Sequence, residues 1–158
     1  MNILSAQAFT TEDGLAVDLF VVEGAFDPEI DEDRWRRFRS DLRKALDGRI
    51  SLEHRVRDKR SHYTAPDSRI PVQVSVDNHA SDFSTVVEVS AADRIGLLFD
   101  LASAFHALGL DVHVAKVATF GPRVIDAFYV RDAAAGKLED PRRLREVEEH
   151  VRARLATG

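Results

Sequence analysis

The residues best placed to do chemistry are "DRIGLL", Asp93 to Leu98, between an apolar run, "STVVEVS", and a helical pattern, "LLFDLASAFHALG". A helix opening there presents backbone N–H groups with no partner inside the helix, and its dipole is positive at that end. Both attract a carboxylate. Gly96 lets a ligand or another backbone come close, because no side chain stands in the way. Asp93 is placed either to cap the helix or to accept hydrogen bonds from an ammonium group. A free amino acid carries one carboxylate and one ammonium, and the turn offers a partner for each. The plainer alternative makes Asp93 an N-cap and Gly96 a turn and packing residue only.

Other chemistry finds little support. The histidines are His54, His62, His79, His106, His113 and His150, and none forms an H-x-x-x-H or H-E-x-x-H pattern. Asp111 and His113 lie two apart on an expected strand and so on one face, which reads as a surface pair rather than a metal site. Phosphate-loop, dinucleotide-fold and nucleophile-elbow motifs are absent, and no serine–histidine–acid set emerges from the spacing. The chain has no cysteine, which removes disulfides, thiolate nucleophiles and cysteine zinc sites and fits a reducing cytoplasm. No catalytic residue, metal or cofactor is expected of these residues.

Composition narrows the class. The chain has 158 residues, 44% apolar and 31% charged, with a net charge of −5. That is the balance of a globular protein, and it argues against general nucleic-acid or membrane partners. No window has the uncharged apolar length of a membrane span, and the first residues do not read as a secretion signal. One local exception, Arg49 to Arg60, sets five basic residues against Glu53 and Asp58 and reads as a solvated linker or helix face.

The elements that must position the turn emerge from an internal repeat. "LSAQAFTTEDGLAVDLFVV" resembles "HVAKVATFGPRVIDAFYV": Ile3, Ala6 and Thr10 align with Val112, Ala115 and Thr119, and Asp18, Phe20 and Val22 with Asp126, Phe128 and Val130. The helices that follow align Trp35, Phe38, Leu42 and Leu46 with Leu144, Val147, Val151 and Leu155. The second copy also has a strand at Ser84–Ser90 and a helix at Arg94–Leu108, which the first lacks, so the chain is expected to begin inside a domain.

Periodicity supplies the remaining elements. Asp111–Thr119 and Arg123–Arg131 form a hairpin, and a last helix runs from about Pro141 to Leu155. The first copy has its helix at about Glu32–Leu46, then a basic stretch over 50–60 that reads as helical, then a proline-marked linker from Ser61 to Pro71. "VQVSV", Val72–Val76, alternates as a strand that could close the sheet of the first copy. The expected fold is α+β, a ferredoxin-like βαββαβ sandwich in two units, 1–78 (partial) and 79–158. RNA-recognition modules share this topology, but adjacent Phe128 and Tyr129 point to opposite faces and cannot form one stacking platform.

"VSVDNHASDFSTVVEV", "DRIGLL", "LGLDVHVAKVATFG", "VIDAFYV" and "NILSAQAFTTEDG" together resemble the tandem ACT pair of bacterial bifunctional enzymes that add uridylyl groups to the PII signal protein and remove them. The resemblance implies a regulatory glutamine-sensing pair, a homodimer through ACT sheets, and contact with PII only through catalytic domains outside this chain. Its ligand residues would be Asp93, Arg94, Ile95, Gly96, Leu97 and Leu98, with Asn2, Ser5 and Gln7 of the first copy and His113 of the second. The family often has proline where Ile95 stands, so the turn here is freer. A structural dimerisation module with an empty turn is the competing expectation.

Overall fold

The computed structural model describes residues 2–11, 13–24, 29–62 and 70–156. In chain order the elements are β1 (Asn2–Thr10), β2 (Ala16–Glu23), α1 (Glu32–Leu46), α2 (Leu52–Ser61), β3 (Gln73–Asp77), β4 (Thr85–Ala92), α3 (Leu97–Ala107), β5 (Asp111–Phe120), β6 (Arg123–Arg131) and α4 (Pro141–Ala156). The strands form one six-stranded antiparallel sheet in the order β2-β1-β5-β6-β4-β3. The fold is α+β with the split βαβ arrangement: β4 and β5 flank β6 and are joined through α3.

The core lies between one face of β3–β6 and the helices α3 and α4. Alternation turns Val87, Val89 and Ala91 of β4 and Val124, Phe128 and Val130 of β6 toward it. Leu97, Leu101, Ala104 and Phe105 form the matching stripe on α3, and Val147, Val151 and Leu155 that on α4. Phe105 rests on Phe128 with ring centroids 5.0 Å apart. Each of the buried Val, Leu and Phe side chains contributes about 1.5–3 kcal/mol through the area it removes from water.

The repeat is confirmed at the level of register. Ala6 pairs with Phe20 as Ala115 pairs with Phe128, and Ala8 with Asp18 as Val117 with Asp126. Even the bulges correspond, between Ile3 and Ser5 in β1 and between Val112 and Val114 in β5. The equivalent strands β1 and β5 then pair antiparallel, Ser5 with Ala118, Gln7 with Lys116 and Phe9 with Val114. Gln7 and Lys116 are equivalent residues of the two copies, so a pseudo-two-fold axis passes between them.

Three expectations change. The strand expected to close the first copy pairs with β4 instead, Val74 opposite Val89, and completes the second unit's sheet. The second unit is thus a permuted sandwich whose edge strand precedes it in sequence. The expected helix from Arg94 starts at Leu97, and the linker residues 63–69 lie outside the described ones. The bulge in β5 also breaks the alternation on which Asp111 and His113 were placed on one face.

In the first unit, α1 is well formed: Asp31 caps it by accepting from Arg34 N–H at 2.7 Å, and Arg43 and Lys44 lie in its last turn. It is nevertheless unpacked. Phe38, Leu42 and Leu46 are 42%, 45% and 79% exposed, whereas their equivalents Val147, Val151 and Leu155 are 0%, 0% and 5% exposed. In the second unit α4 packs on α3 and β3, and among the described residues no helix or strand takes the equivalent place against α1. Val17, Leu19, Phe20 and Val21 of β2 are exposed as well.

Candidate functional site

The β4–α3 turn is built around Gly96, which adopts the left-handed conformation (φ +76°) and is itself the N-cap of α3. It supplies no side-chain cap; Leu97 N–H donates to Arg94 O at 3.2 Å, and the amides of Leu98 and Phe99 follow without a capping side chain. Asp93 is not the cap. Its side chain is exposed and its N–H donates to Pro122 O at 2.9 Å, anchoring the turn to the β5–β6 hairpin. Leu97 is buried in the core and Leu98 packs against it, so both offer the turn only their backbone.

Arg94 does not face solvent. Its side chain is 14% exposed and its Nη2 lies 2.7 Å from Asp100 Oδ2, off the hydrogen-bonding direction. Asp100, in the first turn of α3, is 1% exposed. Arg60 Nη2 donates to the same Oδ2 at 2.5 Å, and Arg154 Nη2 stands 3.1 Å from Oδ1. Three guanidiniums from three different segments therefore meet one carboxylate beside the helix end.

A second buried carboxyl lies near the same end of the sheet. Asp126 on β6 is fully buried; its Oδ1 accepts from Ala118 N–H at 3.4 Å and its Oδ2 has no hydrogen bond. Burial pushes its pKa up to about 6, against the Ala118 bond that lowers it, and the charge of Asp93 adds to the rise.

The expected site residues fall into separate groups. Thr119 Oγ1 donates to Ile3 O at 3.0 Å and Ser5 pairs with Ala118, so Asn2 and Ser5 lie at the end of the sheet where the hairpin holds the turn. Gln7 sits mid-strand opposite exposed Lys116, away from the helix-covered face that Ala115 and Val117 line. His113 is six residues before Thr119, roughly 20 Å away along the strand, beside the far end of β1. Asn2 and Ser5 share an end of the sheet with Asp93–Leu98 but stand on β1, with β5 and β6 between them and β4, and Gln7 and His113 lie farther along their strands.

Sequence reading missed Arg60, Asp100 and Asp126. Each left a signal: Asp100 interrupts the apolar stripe of α3, Asp126 interrupts the apolar alternation of β6, and Val56 and Arg60 are four apart on one face of α2. Among the described residues no three His, Asp or Glu side chains gather as a metal site, and no helix is long and apolar enough to cross a membrane.

The fold and the turn define the class first: a pair of related α+β units with an amide-rich, positively charged turn in the second. The comparisons narrow it. The chain is 36% identical over 161 residues to the bifunctional uridylyltransferase/uridylyl-removing enzyme of Gluconobacter oxydans, covering 99% of this chain and 17% of that protein. It is 35% identical over 161 residues to the enzyme of that name from Rhodopseudomonas palustris, again 99% and 17%. With the one from Bradyrhizobium diazoefficiens it shares 37% over 143 residues, 90% and 15%. The chain resembles one stretch of these enzymes and spans about a sixth of their length. No known family profile and no solved structure matches it.

Proposed function

We propose that this chain is a regulatory amino-acid-sensing ACT pair, with glutamine as ligand, that biases a PII-directed uridylyltransferase/uridylyl-removing enzyme between its two activities. The observation that carries the reading is the Gly96 turn, without a side-chain cap and with three guanidiniums gathered on Asp100 beside it. Its amides and positive field suit a carboxylate, and its carbonyls and Asp100 suit an ammonium. The similarity to enzymes named for two opposed activities supports a regulatory role, because opposed activities in one protein require a switch. Ligand acts by differential affinity for two arrangements of the units. We assign no catalytic, metal or cofactor role to this chain, and place the whole enzyme in the cytoplasm. Calorimetric titration with glutamine tests the reading: saturable heat and a rise in melting temperature are expected, and neither at millimolar ligand would refute it.

The exposed apolar surface of β2 and α1 favours a second reading, a homodimerisation module without a ligand. Light scattering separates the two, since only the sensing pair changes its association when glutamine is added.

A further inference from the structure

We infer that Arg60 is a tethered occupant of a cation receptacle at the β4–α3 turn, and that a primary ammonium group competes for its place. Three acceptors converge on this one guanidinium. Nε donates to Ile95 O at 2.9 Å, and Nη2 to Gly96 O at 3.2 Å and to Asp100 Oδ2 at 2.5 Å. An alkylammonium has three N–H donors and no acceptor, which is the complement of two carbonyls and a carboxylate. The ammonium partner is thus buried Asp100, not exposed Asp93 as the sequence suggests. Only the identity of the ligand, not the receptacle, rests on that reading.

Three features make the occupant exchangeable. Arg60 is 31% exposed, so a solute reaches the place it fills. Asp100 keeps its ion pairs with Arg94 at 2.7 Å and Arg154 at 3.1 Å when Arg60 leaves, so its charge stays compensated while the hydrogen bond from Arg60 is lost. The helix that carries Arg60 is lightly held: α2 buries no residue, and it seats on the turn through Val56 and Arg60. That seating requires glycine, because a Cβ at position 96 would lie 2.4 Å from Val56 Cγ1 and 2.8 Å from Arg60 Nη2.

The same helix is tied to the first unit, where Arg55 Nη1 donates to Asp41 Oδ2 of α1 at 2.6 Å. That guanidinium holds the Asp41 carboxyl below its ordinary range. Displacing Arg60 therefore frees an arm that leads to α1, and occupancy of the turn and docking of α2 exclude each other.

Hydrogen exchange on the full chain tests the proposal without any amino acid. Arg60→Ala is expected to raise exchange in α2 and at residues 95–100 by about tenfold or more, whereas Arg60→Lys keeps it near wild type. Methylammonium chloride at about 0.1 M, against sodium chloride of equal ionic strength, is expected to restore protection at 95–100 of the Arg60→Ala chain but not in α2. Unchanged exchange in Arg60→Ala, or no rescue by methylammonium, overturns the receptacle. Glutamine is then expected to bind Arg60→Ala about tenfold more tightly than wild type, and equal affinity overturns the competition. Rescue by methylammonium with no glutamine heat from either chain upholds the receptacle and retires glutamine as the ligand.

Discussion

Asp126→Asn should convert a pH-dependent stability into a flatter one. The folded carboxyl titrates near 6, raised by burial, whereas an unfolded aspartate titrates near 3.9. The folded state therefore binds more protons between those values, and stability falls as pH rises through 6. Relative to pH 7.5, the wild-type chain gains about 1.4 kcal/mol from this group by pH 5, approaching about 3 kcal/mol below pH 4. Asparagine keeps the acceptor for Ala118 N–H and cannot ionise. Urea unfolding of both chains at pH 5 and pH 7.5 isolates the effect: the variant's stability relative to wild type should improve by about 1.4 kcal/mol between them. Asp18 holds the equivalent register position but is exposed, so Asp18→Asn is the control and should show no such gain. Parallel stability profiles for Asp126→Asn and wild type would refute the reasoning.

Other outcomes follow from packing. Leu101→Ala, at a fully buried site, should cost about 2–5 kcal/mol in chemical denaturation. Leu42→Ala on the unpacked face of α1 should stay within about 0.5 kcal/mol, and a larger loss would mean that α1 is docked. Gly96→Ala meets both positive φ and the Val56 contact, so it should cost more than about 1 kcal/mol and loosen α2 in hydrogen exchange. Leu19→Lys, on exposed β2, should lower the mean mass in light scattering at high protein concentration, and an unchanged mass would show that β2 is not an association surface.

Much of the fold was legible because the repeat carries its own register. Alignment of Ala6 with Ala115 and Phe20 with Phe128 already contained the pairing that both hairpins adopt. The limits of α1 were equally plain, with acids at its start and bases at its end. Alternation in Val72–Val76 identifies a strand but carries no information on its partner, so the sequence does not reveal that β3 pairs with β4. The α3 start shifted because only the backbone conformation of Gly96 determines where the helix begins. Linear order says nothing of which strand end meets which loop, so the sequence does not show that His113 lies at the end of β5 away from the turn. Arg60 was invisible as a site residue: a basic helix reads as solvated until the turn it touches is known.

The unbroken sheet constrains how the two halves can signal to each other. β1 and β5 share a ladder of main-chain hydrogen bonds, so the units cannot rock like beads on a string. Rearrangement between them must come as torsion of a single twisted slab, or as swinging of the helices that hang from it. β2 at the open edge, and the helices at the ends of the strands, are the parts such a slab leaves free to shift.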